Sequence, residues 1–232
     1  MKVVMKLILI LSILISCTVK PEKEKVQSIA VQPDINPVSE LPVPIKEKIN
    51  YHDTSMVVLQ QYSDLFVYDM KYATADNFLK EKVYECDNCL LRFKVAEALI
   101  IAAKKFSESG MKIKFFDCTR PVTVQKKMWE IMPDGRYVAN PYKSGSIHNR
   151  GAAVDITLVD NQGNELDMGT GFDHFGEEAH HAYSNLSDTV KANRTFLKEI
   201  MKSAGFNPIR TEWWHYNYGA EKYKISAVAL CD

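Results

Sequence analysis

Two short segments place metal-binding side chains within otherwise apolar sequence. The first, residues 146–155, reads SIHNRGAAVD, and the second, residues 212–216, reads EWWHY. Together they supply His148, His215, Asp155 and a further carboxylate, Glu212. Neutral imidazole and carboxylate groups are good ligands of Zn²⁺, and a catalytic zinc typically keeps three protein ligands and one open position for water. These residue types could therefore build a hydrolytic zinc site with a nearby general base.

Each segment also has an ordinary structural interpretation. Asp155 could cap a turn near a surface histidine, His215 could be a hydrogen-bonded core residue, and Glu212 could be a rim carboxylate paired with Arg210. Residues three apart in a regular strand face opposite sides of the sheet. Glu212 and His215 can therefore serve one site only if Glu212 lies at the beginning of a strand or on a bulge.

A cation that could stabilise an oxyanion is available at Arg120, in the segment FDCTRP of residues 116–121. Arg120 follows a predicted strand, and Pro121 prevents that strand from continuing. A fixed guanidinium at such a position suits the developing charge of a tetrahedral intermediate. The alternative is a surface guanidinium paired with Asp117.

The elements that must position these residues follow from the spacing of apolar side chains. Helices are predicted over residues 90–109, 123–132 and 187–204, with caps at Thr123 and Ser187. Strands are predicted over residues 111–118, 151–159, 212–218 and 223–230. Val154, Ile156 and Leu158 would face the core, which turns Asp155 to the opposite side. The order lacks a βαβ rhythm, so we predict one α+β domain with a small, mostly antiparallel sheet packed with helices.

The amino-terminal region differs from the rest of the chain. Residues 1–16 combine two lysines with a short apolar run, which is typical of a signal peptide and too short for a membrane span. The sequence LISC resembles a bacterial lipobox, in which Cys17 would be acylated; an ordinary cleaved signal is the alternative. Residues 17–50 contain five of the nine prolines and predict a tether. The folded domain is then expected over residues 51–232.

Composition and cysteine content bear on the kind of partner and on the disulfide bonds of the protein. The chain has 232 residues, with 29 basic and 29 acidic side chains, so nothing in its charge indicates a nucleic-acid partner. In an exported protein we expect disulfides among the four cysteines outside the leader, in a pairing that the sequence does not fix. These are Cys86, Cys89, Cys118 and Cys231.

The motifs resemble those of the D-alanyl-D-alanine dipeptidases, a family of zinc peptidases related to D,D-carboxypeptidases. The family pattern S-x-H-x-x-G-x-A-x-D is met throughout residues 146–155, and E-x-x-H is met at residues 212–215. Further similar stretches are KYATADNF at residues 71–78, DCTRP at residues 117–121 and DMGTGFD at residues 167–173. The resemblance extends from about residue 68 to residue 218 in consistent order.

The resemblance implies one Zn²⁺ per chain, bound by His148, Asp155 and His215. It further implies that Glu212 is the catalytic base and that Arg120 stabilises the oxyanion. Asp173 would bind the free ammonium of a D,D-dipeptide, in a substrate pocket that is also lined by Tyr72 and Ser146.

The expected activity is hydrolysis of D-Ala-D-Ala by an enzyme that is lipid-anchored in a bacterial cell envelope, facing the periplasm or the cell surface, and serves wall-fragment turnover. The lipid anchor would be its only membrane contact. The alternatives are a D,D-carboxypeptidase acting on peptidoglycan stem peptides and a non-catalytic zinc fold that binds a wall component.

Overall fold

Helices and strands follow one another irregularly in the computed structural model, which describes residues 51–219 and 223–231. Within these residues the chain forms four α-helices: α1 (Leu59–Tyr62), α2 (Phe93–Ser107), α3 (Val122–Ile131) and α4 (Asp188–Ser203). The described strands are β1 (Met56–Val58), β2 (Val67–Tyr68), β3 (Leu90–Arg92), β4 (Lys112–Asp117), β5 (Ala153–Val159), β6 (Phe206–Pro208) and β7 (His215–Tyr218).

The main sheet of the described residues has the strand order β2-β4-β5-β7-β6. Strand β2 is parallel to β4, and the other neighbours are antiparallel. Strands β1 and β3 form a separate antiparallel pair. This confirms the predicted α+β domain with a small, mostly antiparallel sheet.

The core lies between one face of this sheet and helices α2 and α4. Alternate residues of β5 (Val154, Ile156 and Leu158) belong to the same buried cluster as Leu99 of α2 and Leu197 of α4. The side chain of Ser187 caps α4 by accepting a hydrogen bond from the Val190 amide, as predicted. Because side chains alternate along a strand, Asp155 faces the other side of the sheet.

Four predicted elements differ from the structure. Of the strand predicted over residues 212–218, only His215–Tyr218 forms β7. Residues 90–92 form β3 rather than the first turn of a helix, because they pair with β1. Helix α3 begins at Val122 with Pro121 at the cap position, so Thr123 is not the cap. Residues 223–230 form no strand: β7 already pairs with β5 on one side and with β6 on the other, which leaves no edge of β7 for another strand.

The four cysteines form the bonds Cys86–Cys231 and Cys89–Cys118. The predicted signal peptide, Cys17 and the proline-rich tether lie outside the described residues. Among the residues that are described, no helix has the length and apolar character needed to cross a bilayer.

Candidate active site

Three neighbouring strands align a row of polar side chains across the sheet. Asp155 of β5 lies directly opposite His215 of β7 on one side and Asp117 of β4 on the other. A register shift between Phe115 and Asp117 creates the second pairing, because without it Phe116 would face Asp155. Residues directly opposite one another in a sheet present their side chains to the same face. The strand register therefore assembles one edge of a site.

His148 completes this cluster from a short 3-10 turn, His148–Arg150, that precedes β5. Its Nε2 lies 3.2 Å from His215 Nδ1 and 3.3 Å from Asp155 Oδ2, and His215 Nδ1 lies 2.9 Å from Asp155 Oδ1. Zinc bonds of about 2.0–2.1 Å at tetrahedral angles separate neighbouring ligand atoms by about 3.3 Å. The spacing of these ligand atoms from three residues fits a small divalent metal ion.

The outer nitrogens of both histidines are bonded in a way that fixes the inner ones as acceptors. His148 Nδ1 donates to the Cys118 carbonyl oxygen at 2.6 Å, and His215 Nε2 donates to Asn217 Oδ1 at 2.8 Å. Two imidazole lone pairs and a carboxylate then face one another in a buried space, an arrangement that requires a cation. Burial opposes ionisation of Asp155, but when the two imidazoles are protonated their charge outweighs this effect and holds the pKa of Asp155 below the ordinary range.

Glu212 lies just before β7, the position that allows it to share a site with His215. Its side chain is buried, with Oε2 3.9 Å from His215 Nδ1, so it is not a rim carboxylate. Burial raises the pKa of Glu212 to about 8, with His215 opposing the shift and Asp155 adding to it. A carboxylate whose pKa lies near neutrality is suited to accept and return a proton.

Arg120 is buried beside the cluster, in the loop between β4 and α3. Its Nε and Nη2 donate to Asp117 Oδ2 at 2.9 and 2.7 Å, and its Nη1 donates to Gln125 Oε1 at 3.0 Å. Nη2 also lies 3.6 Å from Asp155 Oδ2. Pairing with Asp117 is thus present, but in the interior rather than on the surface. The pairing holds a positive charge next to the metal-binding atoms.

A cavity of about 180 Å³ opens onto these groups and is also lined by Tyr72, Ser146 and Asp173. The Tyr72 hydroxyl contacts both carboxylate oxygens of Asp173, at 3.1 and 3.0 Å. Burial raises the pKa of Asp173 to about 8, Asp155 adds to the shift, and Arg120 opposes it. The Ser146 hydroxyl accepts a hydrogen bond from the His148 amide at 3.2 Å, which helps to shape the turn that carries His148.

A family model described as D-Ala-D-Ala dipeptidase, peptidase family M15, matches residues 52–229. The chain belongs to this family.

Similar curated relatives of this M15 peptidase carry the name D-alanyl-D-alanine dipeptidase. The one from Escherichia coli (strain K12) is 38% identical, over 64% of this chain and 76% of the relative. The one from Enterococcus faecium is 32% identical, over 68% of this chain and 89% of the relative. The solved structure of the LdcB LD-carboxypeptidase has 17% identity and a TM-score of 0.43, over 75% of this chain and 72% of that one.

Membership of the M15 family makes the chain a metallopeptidase, and the His148–Asp155–His215 group could hold its metal ion. The structure brings every predicted site residue of the folded domain to one cavity. Three groups that orient these residues were not predicted from the sequence: Asn217, Gln125 and Tyr84, whose hydroxyl donates to Asp117 Oδ1 at 2.9 Å. Asn217 could have been found, because residues two apart in a strand share a face and it follows His215.

Proposed function

We propose that this metallopeptidase is a zinc-dependent dipeptidase that hydrolyses D-Ala-D-Ala to two molecules of D-alanine. The observation that carries the proposal is the convergence of His148, Asp155 and His215 beside Glu212 and Arg120, in one cavity. The names of the relatives support the substrate, and two imidazoles with one carboxylate suit zinc.

A zinc ion held by these three side chains would supply a Lewis acid that polarises the scissile carbonyl and lowers the pKa of a water molecule. Glu212 takes one proton from that water as its oxygen attacks the carbonyl carbon. Glu212 then returns the proton to the leaving nitrogen, so that the peptide C–N bond breaks and a neutral amine departs.

Arg120 contributes a fixed positive charge during the same step. The carbonyl oxygen becomes negative when water adds, and a preorganised guanidinium lowers the energy of that state. Asp117 and Gln125 accept three hydrogen bonds from the Arg120 guanidinium and hold it in place. Arg120 therefore does not have to reorganise when the charge develops. Its Nη2 lies close enough to Asp155 to reach a substrate oxygen beside the metal-binding atoms.

Asp173 supports a dipeptide rather than a longer chain. A dipeptidase must recognise a free ammonium close to the scissile bond, and an anionic group in the same cavity does so. An approaching ammonium stabilises the ionised form of Asp173 and thereby offsets the effect of burial on its pKa. The cavity of about 180 Å³ is also small beside the roughly 300–1,000 Å³ of typical ligand pockets.

The test is release of D-alanine from D-Ala-D-Ala by the purified domain, with and without added Zn²⁺ after exhaustive chelation. We expect activity to disappear on chelation and to return with zinc. N-acetyl-D-Ala-D-Ala serves as the second substrate, since it lacks the ammonium. Full activity after chelation would overturn the metal mechanism, and equal turnover of the acetylated compound would favour a D,D-carboxypeptidase.

We further propose that the enzyme is lipid-anchored at Cys17 in a bacterial cell envelope and acts in wall-fragment turnover. The lipobox-like LISC and the short apolar leader support this location. An exported enzyme does not reach a cytoplasmic pool of D-Ala-D-Ala, so its substrate would come from the wall. Fractionation of cells expressing the full chain and Cys17→Ala tests the anchor, because the variant should leave the membrane fraction.

A further inference from the structure

The segment that carries Asp173 is largely irregular. Residues 167–180, here called the Asp173 segment, contain only one 3-10 turn, Glu177–Ala179, among their described elements. Asp173 itself has a φ of +59°, a region that few non-glycine residues occupy. Its position in the cavity must therefore be maintained by contacts from elsewhere in the fold.

Arg194 of α4 provides the most extensive of these contacts. Its Nε donates to the Met168 carbonyl at 2.7 Å, its Nη2 to the Glu178 carbonyl at 2.9 Å and its Nη1 to the His180 carbonyl at 3.2 Å. The side chain is only 5% exposed. It lies on the inward side of α4, in series with the buried Val190, Leu197 and Met201.

These bonds join the two ends of the Asp173 segment. Met168 lies five residues before Asp173, and Glu178 lies five residues after it, so one guanidinium closes the loop around Asp173. The chain also approaches α4 closely here, since a Cβ at Gly169 would lie 2.9 Å from Val190. A planar guanidinium can reach three carbonyls in fixed directions, which the single ammonium of lysine cannot reproduce.

We propose that Arg194 is a positioning residue for recognition of the substrate's free ammonium, acting through the Asp173 segment. This inference rests on the proposed function, because it takes Asp173 as the group that binds the ammonium. Arg194 does not touch the cavity or the metal-binding atoms, so its loss should weaken selection of the ammonium and leave metal binding intact.

The experiment compares binding of two phosphinate analogues of D-Ala-D-Ala, one with the amine and one without it. Calorimetry on the zinc-loaded full domain gives the ratio of their Kd values for the wild type and for Arg194→Lys. We expect the wild type to prefer the amine at least tenfold and Arg194→Lys to reduce that preference at least fivefold. In an Asp173→Asn background, Arg194→Lys should change the ratio no further, since both act on one interaction.

Arg92→Lys is the matched control. Arg92 also donates to three carbonyls, those of Thr54, Arg150 and Lys224, but none lies in the Asp173 segment. The Arg92→Lys variant should have a lower midpoint of thermal unfolding than the wild type and the same ratio of Kd values for the two analogues. If Arg194→Lys does not fold, Asn193→Ala replaces it, since Asn193 Nδ2 donates to the Asp167 carbonyl at 2.9 Å and should give a smaller change of the same sign.

The outcomes separate this inference from the proposed function. An inactive wild type would refute the proposed function. An active wild type in which Arg194→Lys weakens both analogues equally, or neither, would refute the positioning role alone. A wild type with no preference for the amine would refute the positioning role as well, because there would be no recognition for Arg194 to support.

Discussion

At the scale of single residues, a hydrogen bond from the outer nitrogen of each imidazole orients the metal-binding group. The sequence indicates His148, Asp155, His215 and Glu212 because ionisable groups interrupt apolar segments. Asn217 lies two residues after His215, but the partner of His148, the Cys118 carbonyl, comes from a distant part of the chain. Such partners fix which nitrogen faces the metal. Every residue has a main-chain carbonyl, so the sequence does not indicate which one accepts the hydrogen bond from His148.

Replacement of Glu212 tests the general base. Glu212→Gln keeps the shape of the side chain but cannot accept a proton, so we expect kcat to fall by about 10²–10⁴-fold. Bound zinc, measured by atomic emission, should remain at one per chain, because Glu212 lies outside the three-residue cluster. Glu199→Gln, at a largely exposed position of α4, is the matched control and should retain full activity. Normal turnover by Glu212→Gln would contradict the assigned role.

Replacement of Asp173 should stabilise the metal-free protein at alkaline pH. The pKa of Asp173 is about 8 in the folded chain, against an ordinary value of 3.8 for the unfolded chain. Between these two pH values the folded state therefore binds the proton more tightly than the unfolded state does. Stability then falls as pH rises through this window. Asp173→Asn removes this loss, and we expect a gain on the order of a few kcal/mol at pH 8 that vanishes near pH 4.

Urea unfolding at pH 4 and pH 8, in the presence of chelator, measures this difference. Asp64→Asn provides the matched control, because Asp64 is exposed and should show no comparable pH-dependent gain. A gain for Asp173→Asn that is the same at both pH values would contradict the explanation.

At the scale of elements, strand register places the residues of the candidate site. The alternation of β5 predicted that Asp155 faces away from Val154 and Ile156, and the structure agrees. The bulge that sets Asp117 opposite Asp155 was not predictable, because nothing in KIKFFD distinguishes a bulged strand from a regular one. Propensity also failed for residues 223–230, where the residues suit a strand but β7, the strand before them in the chain, already pairs on both sides.

Gly151 connects the turn of His148 to β5 and should be required for the geometry of the metal site. It has a φ of +70°, and an added Cβ would lie 2.7 Å from the Met56 methyl. Gly151→Ala should therefore cost about 1–3 kcal/mol of unfolding free energy and should also weaken zinc binding. Gly163→Ala is the control, because Gly163 has a φ of +88° with open space around it. It should lose stability without losing zinc affinity in a chelator competition.

At the scale of the whole molecule, two disulfides close loops of very different length. Cys86 and Cys231 are 145 residues apart, whereas Cys89 and Cys118 are 29 apart. The sequence predicted that these cysteines would be bonded but not which ones would pair, because pairing depends on the folded path of the chain. Only the shorter loop ends at the carbonyl that orients His148.

Removal of each disulfide should have separable effects. Chain entropy predicts losses of about 5 kcal/mol for Cys86→Ser/Cys231→Ser and about 4 kcal/mol for Cys89→Ser/Cys118→Ser. Zinc affinity should fall only in the second variant, since it alone frees the Cys118 backbone. Urea unfolding and competition with a chromophoric chelator measure the two quantities. Equal loss of zinc affinity in both variants would contradict a specific role for the shorter loop.

The pairing of Asp155 with His215 also has a consequence for how the protein matures. These residues are 60 positions apart, and a slip of one residue in β7 would turn the imidazole away from the carboxylate. The metal-binding group is therefore complete only after a long-range strand pairing has formed in its native register. Uptake of a metal ion during refolding should therefore report when that long-range pairing forms.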